Sequence, residues 1–214
     1  MLTNIKAAIF DLDGTLIDSM WIWEQIDTDY LSSKGFKQPE NLKDEINHLS
    51  FQETAVYFKR RFNLDDSIET ILKAWHDLAF THYSNDVTLK KGVIPFLDYL
   101  KNSGIKIGLA TSNHISLLEA ALKCTGIYEY FDSITTTDEV AKGKNNPDVY
   151  LLAASKLGAI PMECIVFEDI LEAVRGAKLA EMKVVAMHDK YANYQKHALM
   201  SIADKYIYDF TEML

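Results

Sequence analysis

Six polar side chains in this sequence follow short apolar runs, at the points where strands of a predicted sheet end. They are Asp11, Asp13, Thr111, Ser112, Glu168 and Asp169. In a parallel sheet the carboxyl ends of the strands share one rim, and ligands bind there near a topological switch point. We therefore expect four carboxylates and two hydroxyl groups to converge at one rim.

Four carboxylates at one rim repel one another, since two like charges about 4 Å apart cost ~4 kcal/mol at an effective dielectric constant near 20. A cation must join them, or some of them must be protonated. The donors are all oxygen atoms, which selects a hard ion, and Mg²⁺ suits a few carboxylates with water and a substrate phosphate. These residue types therefore predict a magnesium site and disfavour zinc.

The position of Asp11 predicts a nucleophile. A carboxylate held against Mg²⁺ can attack phosphorus and form an aspartyl-phosphate, which divides one difficult displacement into two easier ones. Asp13 could protonate the departing alkoxide and then deprotonate the attacking water. The residues thus indicate phosphoryl transfer, with Asp11 as nucleophile and Asp13 as general acid and base.

Backbone amides and a hydroxyl group could hold the phosphoryl oxygens, and a lysine could neutralise charge beside them. The backbone amides that follow Asp11, at Leu12 and beyond, and the hydroxyl of Thr111 or Ser112 are suitably placed donors. Lys144 precedes a predicted helix and could reach the rim to neutralise the charge on Asp11 and the phosphoryl group.

Each of these signals also has a purely structural interpretation. Asp-Leu-Asp-Gly-Thr at 11–15 is compatible with a strand followed by a turn, and Thr-Ser-Asn at 111–113 with a helix N-cap. Glu168 and Asp169 favour a helix start, and Lys144 alone could be a solvated loop residue. Their joint occurrence in chain order, each after a strand or before a helix, favours an active site.

The elements that would position these residues alternate strand with helix from Lys91 onward. We predict helices at 93–102, 115–123, 147–157 and 171–180. We predict strands at 7–10, 105–110, 133–136, 164–167, 184–187 and near 205–208. Repeated strand-helix units of this length imply an α/β fold, with a doubly wound, Rossmann-like parallel sheet covered by helices on both faces.

Between Leu16 and about Asn85 the apolar pattern is helical throughout. Two long amphipathic patterns, near 16–31 and 68–79, enclose two shorter ones, near 42–49 and 55–62. We therefore predict a helical-bundle cap domain at 16–88, inserted into a core that consists of 1–15 and 89–214.

Composition excludes several classes of protein. The 214 residues carry a formal net charge of −9, which argues against nucleic acid as a partner. No apolar run approaches the roughly 20 residues of a membrane span, and no secretory signal precedes the first strand, so we expect a cytoplasmic protein without membrane association. We expect a monomer or a weak homodimer.

Cys124 and Cys164 are predicted to be free, buried thiols. The basic run at 59–61 is predicted to be a solvated helix face.

At these residues the sequence resembles the haloacid dehalogenase-like superfamily, in particular its phosphatases and β-phosphoglucomutase-like enzymes with a helical cap after the first strand. The resemblance covers essentially the whole chain. Asp-Leu-Asp-Gly-Thr-Leu at 11–16 is similar to the first motif, Thr-Ser-Asn at 111–113 to the second, Lys144 with Pro147 and Asp148 to the third, and Phe-Glu-Asp at 167–169 to the fourth.

The resemblance implies roles for individual residues. Asp11, Asp13 and Lys144 would be catalytic. Asp11, the backbone carbonyl of Asp13, Asp169 and, directly or through water, Glu168 would bind Mg²⁺. Phosphate and substrate contacts would come from Leu12, Thr15, Thr111, Ser112 and Asn113.

Some positions depart from the family pattern. The fourth motif usually continues with a Ser and, three residues further on, a Gly, where this chain has Ile170 and Ala173. Mutase-like members carry an Arg in the cap, where our alignment places Phe51, after Ser50. Thr15 stands where the best-known mutases have Val. The last two differences favour a phosphatase acting on a small phosphorylated metabolite, with a β-phosphoglucomutase-like sugar phosphomutase as the alternative.

Aromatic residues of the cap are candidates for substrate contact, although most aromatics at helical spacing form cap core. Trp21 and Phe51 are the preferred candidates, because an apolar stripe already accounts for Trp23 and Trp75; His48 is a further one. Two other functions are disfavoured. A dehalogenase would need no metal, whereas this chain has the whole acidic set. A catalytically silent binding protein would not need the complete set of motif residues.

Overall fold

A computed structural model describes residues 1–46 and 51–214, without the side chains of Lys43 and Asp44. Three residues with a predicted role in the cap lie outside the described residues. They are His48, a candidate for substrate contact, Leu49, at the end of a predicted helix, and Ser50, which precedes the aligned Phe51. Contacts divide the chain into two compact units, Met1–Ser19 with Val87–Leu214, and Met20–Asp86. The functional division into a core and a cap, with boundaries at 15/16 and 88/89, stays a prediction.

The smaller unit is helical in the part that the structure describes. Its helices are α1 (Ile22–Ser33), α2 (Leu42–Ile46), α3 (Phe51–Arg61) and α4 (Ile68–Asn85). Helix α4 begins after Ser67, whose hydroxyl accepts a hydrogen bond from the Thr70 amide at 3.1 Å. Every fourth residue of α4 is buried, and these residues are Ile71, Trp75, Ala79 and Tyr83. This stripe packs α4 against α1 and α3.

The basic run at the end of α3 is only partly a solvated face. Arg60 and Arg61 are exposed, as predicted, but Lys59 is half-buried. Its ammonium group donates to the backbone carbonyl of Leu64 at 3.1 Å, beyond the helix end. The prediction is wrong for Lys59 because backbone carbonyl groups of the segment between α3 and α4 accept hydrogen bonds from its ammonium group.

The larger unit is built on strands β1 (Ala7–Phe10), β2 (Ile17–Asp18), β3 (Thr88–Leu89), β4 (Lys106–Thr111), β5 (Ser133–Thr136), β6 (Cys164–Glu168), β7 (Lys183–Met187) and β8 (Lys205–Ile207). Its helices are α5 (Val93–Asn102), α6 (Ile115–Cys124), α7 (Asp148–Leu157), α8 (Leu171–Leu179) and α9 (Lys196–Ile202). Six strands form one parallel sheet in the order β5-β4-β1-β6-β7-β8. The predicted doubly wound α/β fold is confirmed.

Burial on both faces of the sheet explains why the central strands β1 and β6 are mostly apolar. All four residues of β1 are buried, and Phe10 stacks on Phe167 of β6 with ring centroids 4.6 Å apart. The chain leaves β1 toward β4 on one side and returns to β6 on the other. The sheet therefore has its topological switch point at β1, and the carboxyl end of this strand opens a crevice for a ligand.

Two short elements differ from the sequence prediction. The region 16–85 is not helical throughout, because Ile17–Asp18 (β2) pairs antiparallel with Thr88–Leu89 (β3). Strands of two residues are too short to show an alternating pattern. Helix α9 also escaped prediction, since Leu199 is its single buried residue and one residue makes no stripe. Among the described residues, no helix is long and apolar enough to cross a bilayer.

The two cysteines are free, but only Cys164 is buried. Cys124 ends α6 and lies outside the apolar stripe that contains Leu117, Leu118, Ala121 and Leu122, so the prediction that it is buried is wrong. Burial, followed by the nearby charge of Glu163, raises the pKa of the Cys164 thiol to about 11.

We expect a thiol reagent to modify one cysteine per native chain and two after denaturation, because thiolates react and the Cys164 thiol is both buried and protonated. Titration with a chromogenic disulfide gives both counts. Cys124→Ser should abolish the native reaction. Two rapidly reacting thiols in the native protein would contradict this assignment.

Candidate active site

The ends of β1 and β6 bring three carboxylates together. Asp11 directly follows β1, and its amide continues the sheet by donating to the Phe167 carbonyl at 3.0 Å. Glu168 is the last residue of β6, and Asp169 follows it. One carboxylate oxygen from each of the three residues lies within 4.8 Å of the others, and all three residues are buried. The strands therefore hold these acids at one rim despite their mutual repulsion.

Lys144 reaches this cluster from the turn before α7. Its ammonium group donates to Asp11 Oδ1 at 2.5 Å and to Glu168 Oε1 at 2.6 Å, and its side chain is 9% exposed. The Tyr150 hydroxyl, from α7, donates to the same Glu168 oxygen at 2.8 Å. The interpretation of Lys144 as a solvated loop residue is therefore excluded.

Charge in the cluster is only partly compensated. Burial raises the pKa of Asp11, and it raises the pKa of Glu168 to about 7. Burial, followed by the negative charge of Asp11, holds the pKa of Asp169 well above its usual value. Burial alone would lower the pKa of Lys144, but the negative charges of Asp11 and Glu168 outweigh it and raise this pKa. One lysine thus leaves excess negative charge in the cluster.

The cluster fits a hard divalent cation. Glu168 Oε2 is buried and has no hydrogen-bond partner among the described residues, and an orphaned buried oxygen of this kind calls for a ligand. All the available donors are carboxylate oxygens, which suit Mg²⁺ or another hard ion. Asp11, Glu168 and Asp169 are the residues that would hold it.

Asp13 is engaged differently from the other three acids. Its carboxylate accepts hydrogen bonds from the Ser19 hydroxyl at 2.6 Å and the Asn113 amide at 2.8 Å. The chain turns after Asp13, and Gly14 allows the turn with its positive φ of 76°. A metal bond from Asp13 through its backbone carbonyl stays a prediction.

The residues predicted to bind phosphate lie on the loops after β1 and β4. Leu12 is fully buried, and its carbonyl accepts from the Leu16 and Ile17 amides. Thr15 is also buried, and its hydroxyl has no hydrogen-bond partner in the described parts of the chain. Thr111 is the last residue of β4, and Ser112 is exposed. Their contacts with a phosphoryl group stay predictions.

Trp21 and Phe51 belong to the smaller unit. Trp21 packs edge-on against His82, with ring centroids 5.4 Å apart. Phe51 is 47% exposed and contacts the rings of Trp23 and Trp75 at 5.7 and 5.4 Å. Their contact with substrate stays a prediction.

Sequence reasoning missed one acidic residue of this rim. Asp189 lies two residues after the end of β7 and is 2% exposed. Its carboxylate accepts from the Lys90 ammonium group at 2.6 Å and the Tyr191 amide at 2.8 Å. Its charge also contributes to the raised pKa of Asp169. The strand-end rule that selected Asp11 and Glu168 could have found Asp189. Sequence reasoning also missed Tyr150, because nothing in the sequence distinguishes this tyrosine from a core residue.

Gly176 allows the turn that carries Lys144 to approach α8. A Cβ atom at Gly176 would lie 1.9 Å from the Lys144 carbonyl oxygen and 2.8 Å from that of Asn146. Ala173, which stands three residues earlier in α8, is buried.

We expect Gly176→Ala to lower kcat/KM by about 100-fold, since a displacement of about 1 Å in a catalytic group can cost that much. It should also lower the free energy of unfolding by about 1–3 kcal/mol through overpacking. Gly143→Ala, in the same turn, is the control, because its Cβ would meet only Asn145 Oδ1 at 3.6 Å. Equal activities of the two variants would show that this approach does not position Lys144.

Comparisons with known proteins agree with this geometry. The family described as "Haloacid dehalogenase-like hydrolase" matches residues 8–187. The chain is 30% identical to a phosphorylated carbohydrates phosphatase of Thermotoga maritima, covering 82% of each protein, and 26% identical to hexitol phosphatase B of Escherichia coli, covering 98% and 95%. A solved structure described as a "putative beta-phosphoglucomutase" of Thermotoga maritima superposes with a TM-score of 0.84 at 27% identity, covering 95% and 94%.

Proposed function

Because this chain belongs to the haloacid dehalogenase-like hydrolase family and is a phosphoester hydrolase, we propose that it is a Mg²⁺-dependent phosphatase of small phosphorylated metabolites that forms an aspartyl-phosphate on Asp11. One observation carries this proposal. The Asp11 carboxylate lies at the switch point of the sheet, hydrogen-bonded to Lys144 and within reach of Glu168 and Asp169. This arrangement combines a nucleophile, a fixed positive charge and ligands for a cation.

The proposed first step transfers the phosphoryl group to the protein. An Asp11 oxygen attacks phosphorus, the bond between phosphorus and the substrate oxygen breaks, and Asp13 donates a proton to that oxygen. The Lys144 ammonium group stabilises the charge that develops near Asp11. Mg²⁺, when bound, would neutralise the phosphoryl oxygens and so lower their repulsion of the Asp11 carboxylate.

The second step returns the enzyme to its starting state. A water molecule attacks the phosphorus of the aspartyl-phosphate, Asp13 accepts its proton, and Asp11 and inorganic phosphate are released. The low exposure of Asp11 limits the access of other nucleophiles.

The names of the relatives support a sugar or polyol monophosphate as substrate. One relative is named for phosphorylated carbohydrates and another for hexitol phosphates. We propose the same class for this chain. A cytoplasmic location, a monomeric or weakly dimeric state and the absence of nucleic acid and membrane partners stay predictions.

A β-phosphoglucomutase-like phosphomutase is the second candidate, supported by the structural similarity to the protein described under that name. A mutase returns the phosphoryl group to a second hydroxyl of a sugar phosphate, whereas a phosphatase passes it to water. Incubation with β-glucose 1-phosphate and a trace of β-glucose 1,6-bisphosphate separates the two. Phosphate release supports the phosphatase, and formation of glucose 6-phosphate would support the mutase.

A screen of phosphorylated metabolites tests the proposal as a whole. The panel contains hexitol, hexose, pentose and triose phosphates, each with Mg²⁺ and with a chelator. We expect Mg²⁺-dependent phosphate release from at least one sugar or polyol phosphate. Absence of release across the panel, or release that survives the chelator, would overturn the proposal.

A further inference from the structure

The Asp13 carboxylate is held at both of its oxygens by side chains from different parts of the larger unit. The Ser19 hydroxyl donates to Oδ1 at 2.6 Å, and the Asn113 side-chain amide donates to Oδ2 at 2.8 Å. Ser19 is 1% exposed and follows β2, whereas Asn113 lies 100 residues further along the chain than Asp13, after β4. Two fixed donors restrict a carboxylate to one orientation.

Asn113 is itself fixed by the turn after β4. Its side-chain carbonyl accepts from the His114 amide at 2.7 Å, and its own backbone amide donates to the Thr111 hydroxyl at 3.0 Å. An amide side chain has one oxygen acceptor and one NH₂ donor group. Since the oxygen is turned toward the His114 amide, the NH₂ group faces Asp13, and the hydrogen-bond network defines this orientation.

We propose that Asn113 is a positioning residue for Asp13, rather than the substrate-binding residue that its motif indicates. The proposal rests on the proposed phosphatase function, in which Asp13 acts as general acid and base. Asn113 holds the Asp13 carboxyl group where it can meet the departing oxygen of the substrate. Substrate recognition does not require Asn113 in this arrangement.

This role has a consequence that a structural or substrate-binding role lacks. When an alkyl phosphate transfers its phosphoryl group to Asp11, the departing alkoxide is strongly basic and needs the proton of Asp13. When 4-nitrophenyl phosphate reacts, the departing nitrophenolate is a weak base and leaves without a proton. Loss of the Asn113 hydrogen bond should therefore slow the first reaction and spare the second.

Single-turnover kinetics with enzyme in excess isolates this first step, because the release of the leaving group is measured before water attacks the aspartyl-phosphate. The variants are Asn113→Ala and Asn113→Ser. Serine is too short to reach Asp13, but its hydroxyl can still accept from a neighbouring backbone amide, which keeps the turn. The control is Asn85→Ala, which also removes one side-chain hydrogen bond, from Asn85 to the Thr81 carbonyl.

For both Asn113 variants we expect the rate constant at saturation to fall about 10–100-fold with the alkyl phosphate that the wild type hydrolyses best. The same constant should change less than about threefold with 4-nitrophenyl phosphate, because that substrate does not use the acid. The enzyme concentration that gives the half-maximal rate constant should not change, and Asn85→Ala should behave as the wild type.

An equal loss with both substrates, no loss, or a loss expressed as weaker substrate binding would overturn the inference. In each of these cases the wild-type rates would still support a phosphatase. A wild type that hydrolyses neither substrate would instead overturn the proposed function, and the inference with it. The melting temperature of each variant shows whether the turn remains folded, and Asn113→Ser provides the test if Asn113→Ala does not fold.

Discussion

Asp11→Asn is expected to lower kcat/KM by at least about 10⁴-fold with every substrate, since loss of a catalytic nucleophile commonly costs this much or more. Asparagine keeps the size and shape of the side chain but lacks the anionic oxygen that attacks phosphorus. Lys144 keeps its second hydrogen bond, to Glu168. Phosphate release, followed with enzyme concentrations high enough to detect the residual rate, measures the effect.

The same substitution should not destabilise the fold. Burial raises the pKa of Asp11, so its ionised form is less favourable in the folded protein than in the unfolded chain. Replacing it with a neutral amide removes this unfavourable charge, so the melting temperature without Mg²⁺ should stay the same or rise. Asp138→Asn, at an exposed position, is the control for activity and stability. A kcat/KM of Asp11→Asn above about one hundredth of the wild-type value would show that Asp11 is not the nucleophile.

Lys144→Met is expected to lower kcat by about 10²–10³-fold, the usual cost of removing one preorganised electrostatic contact in an active site. The positive charge between Asp11 and Glu168 is lost, and the charge that develops on the phosphoryl group has no lysine near it. Methionine retains much of the length of the buried side chain, so packing is largely preserved.

The affinity for Mg²⁺ should not fall with kcat in Lys144→Met. Without Lys144 the three carboxylates keep their attraction for a cation but lose a competing positive charge at Asp11 and Glu168. The Mg²⁺ concentration for half-maximal activity should therefore fall, or stay the same, while kcat falls. Lys142→Met, at an exposed position two residues earlier, should change neither quantity. A Lys144 variant that needs more Mg²⁺ would show that the lysine organises the metal ligands.

Much of the fold could be predicted because its signals are local. The segments 7–10 and 164–167 are apolar runs, since a parallel sheet buries both faces of its central strands. Gly104 and Gly158 follow α5 and α7 with positive φ, which is typical of helix ends. The short β2, β3 and α9 bury too few residues to leave a periodic pattern.

The candidate site was predictable to the extent that strand ends share a rim. That rule selects Asp11, Glu168 and Asp169, which the structure places together. It does not reveal which partner each polar atom takes, because those contacts join segments far apart in the chain. Two examples are the hydrogen bond from Tyr150 to Glu168 and the one from Asn113 to Asp13. Both depend on how distant segments pack, and no local sequence pattern encodes that packing.

The central claim is that Asp11 receives the phosphoryl group in each turnover. The most direct test is to mix the protein with Mg²⁺ and its best substrate, quench in acid within milliseconds, and locate the phosphoryl group by peptide mass spectrometry. We predict an acid-stable, base-labile acyl phosphate on Asp11, and none in Asp11→Asn. A phosphoryl group on another residue, or turnover with no phosphorylated protein at any quench time, would contradict the account.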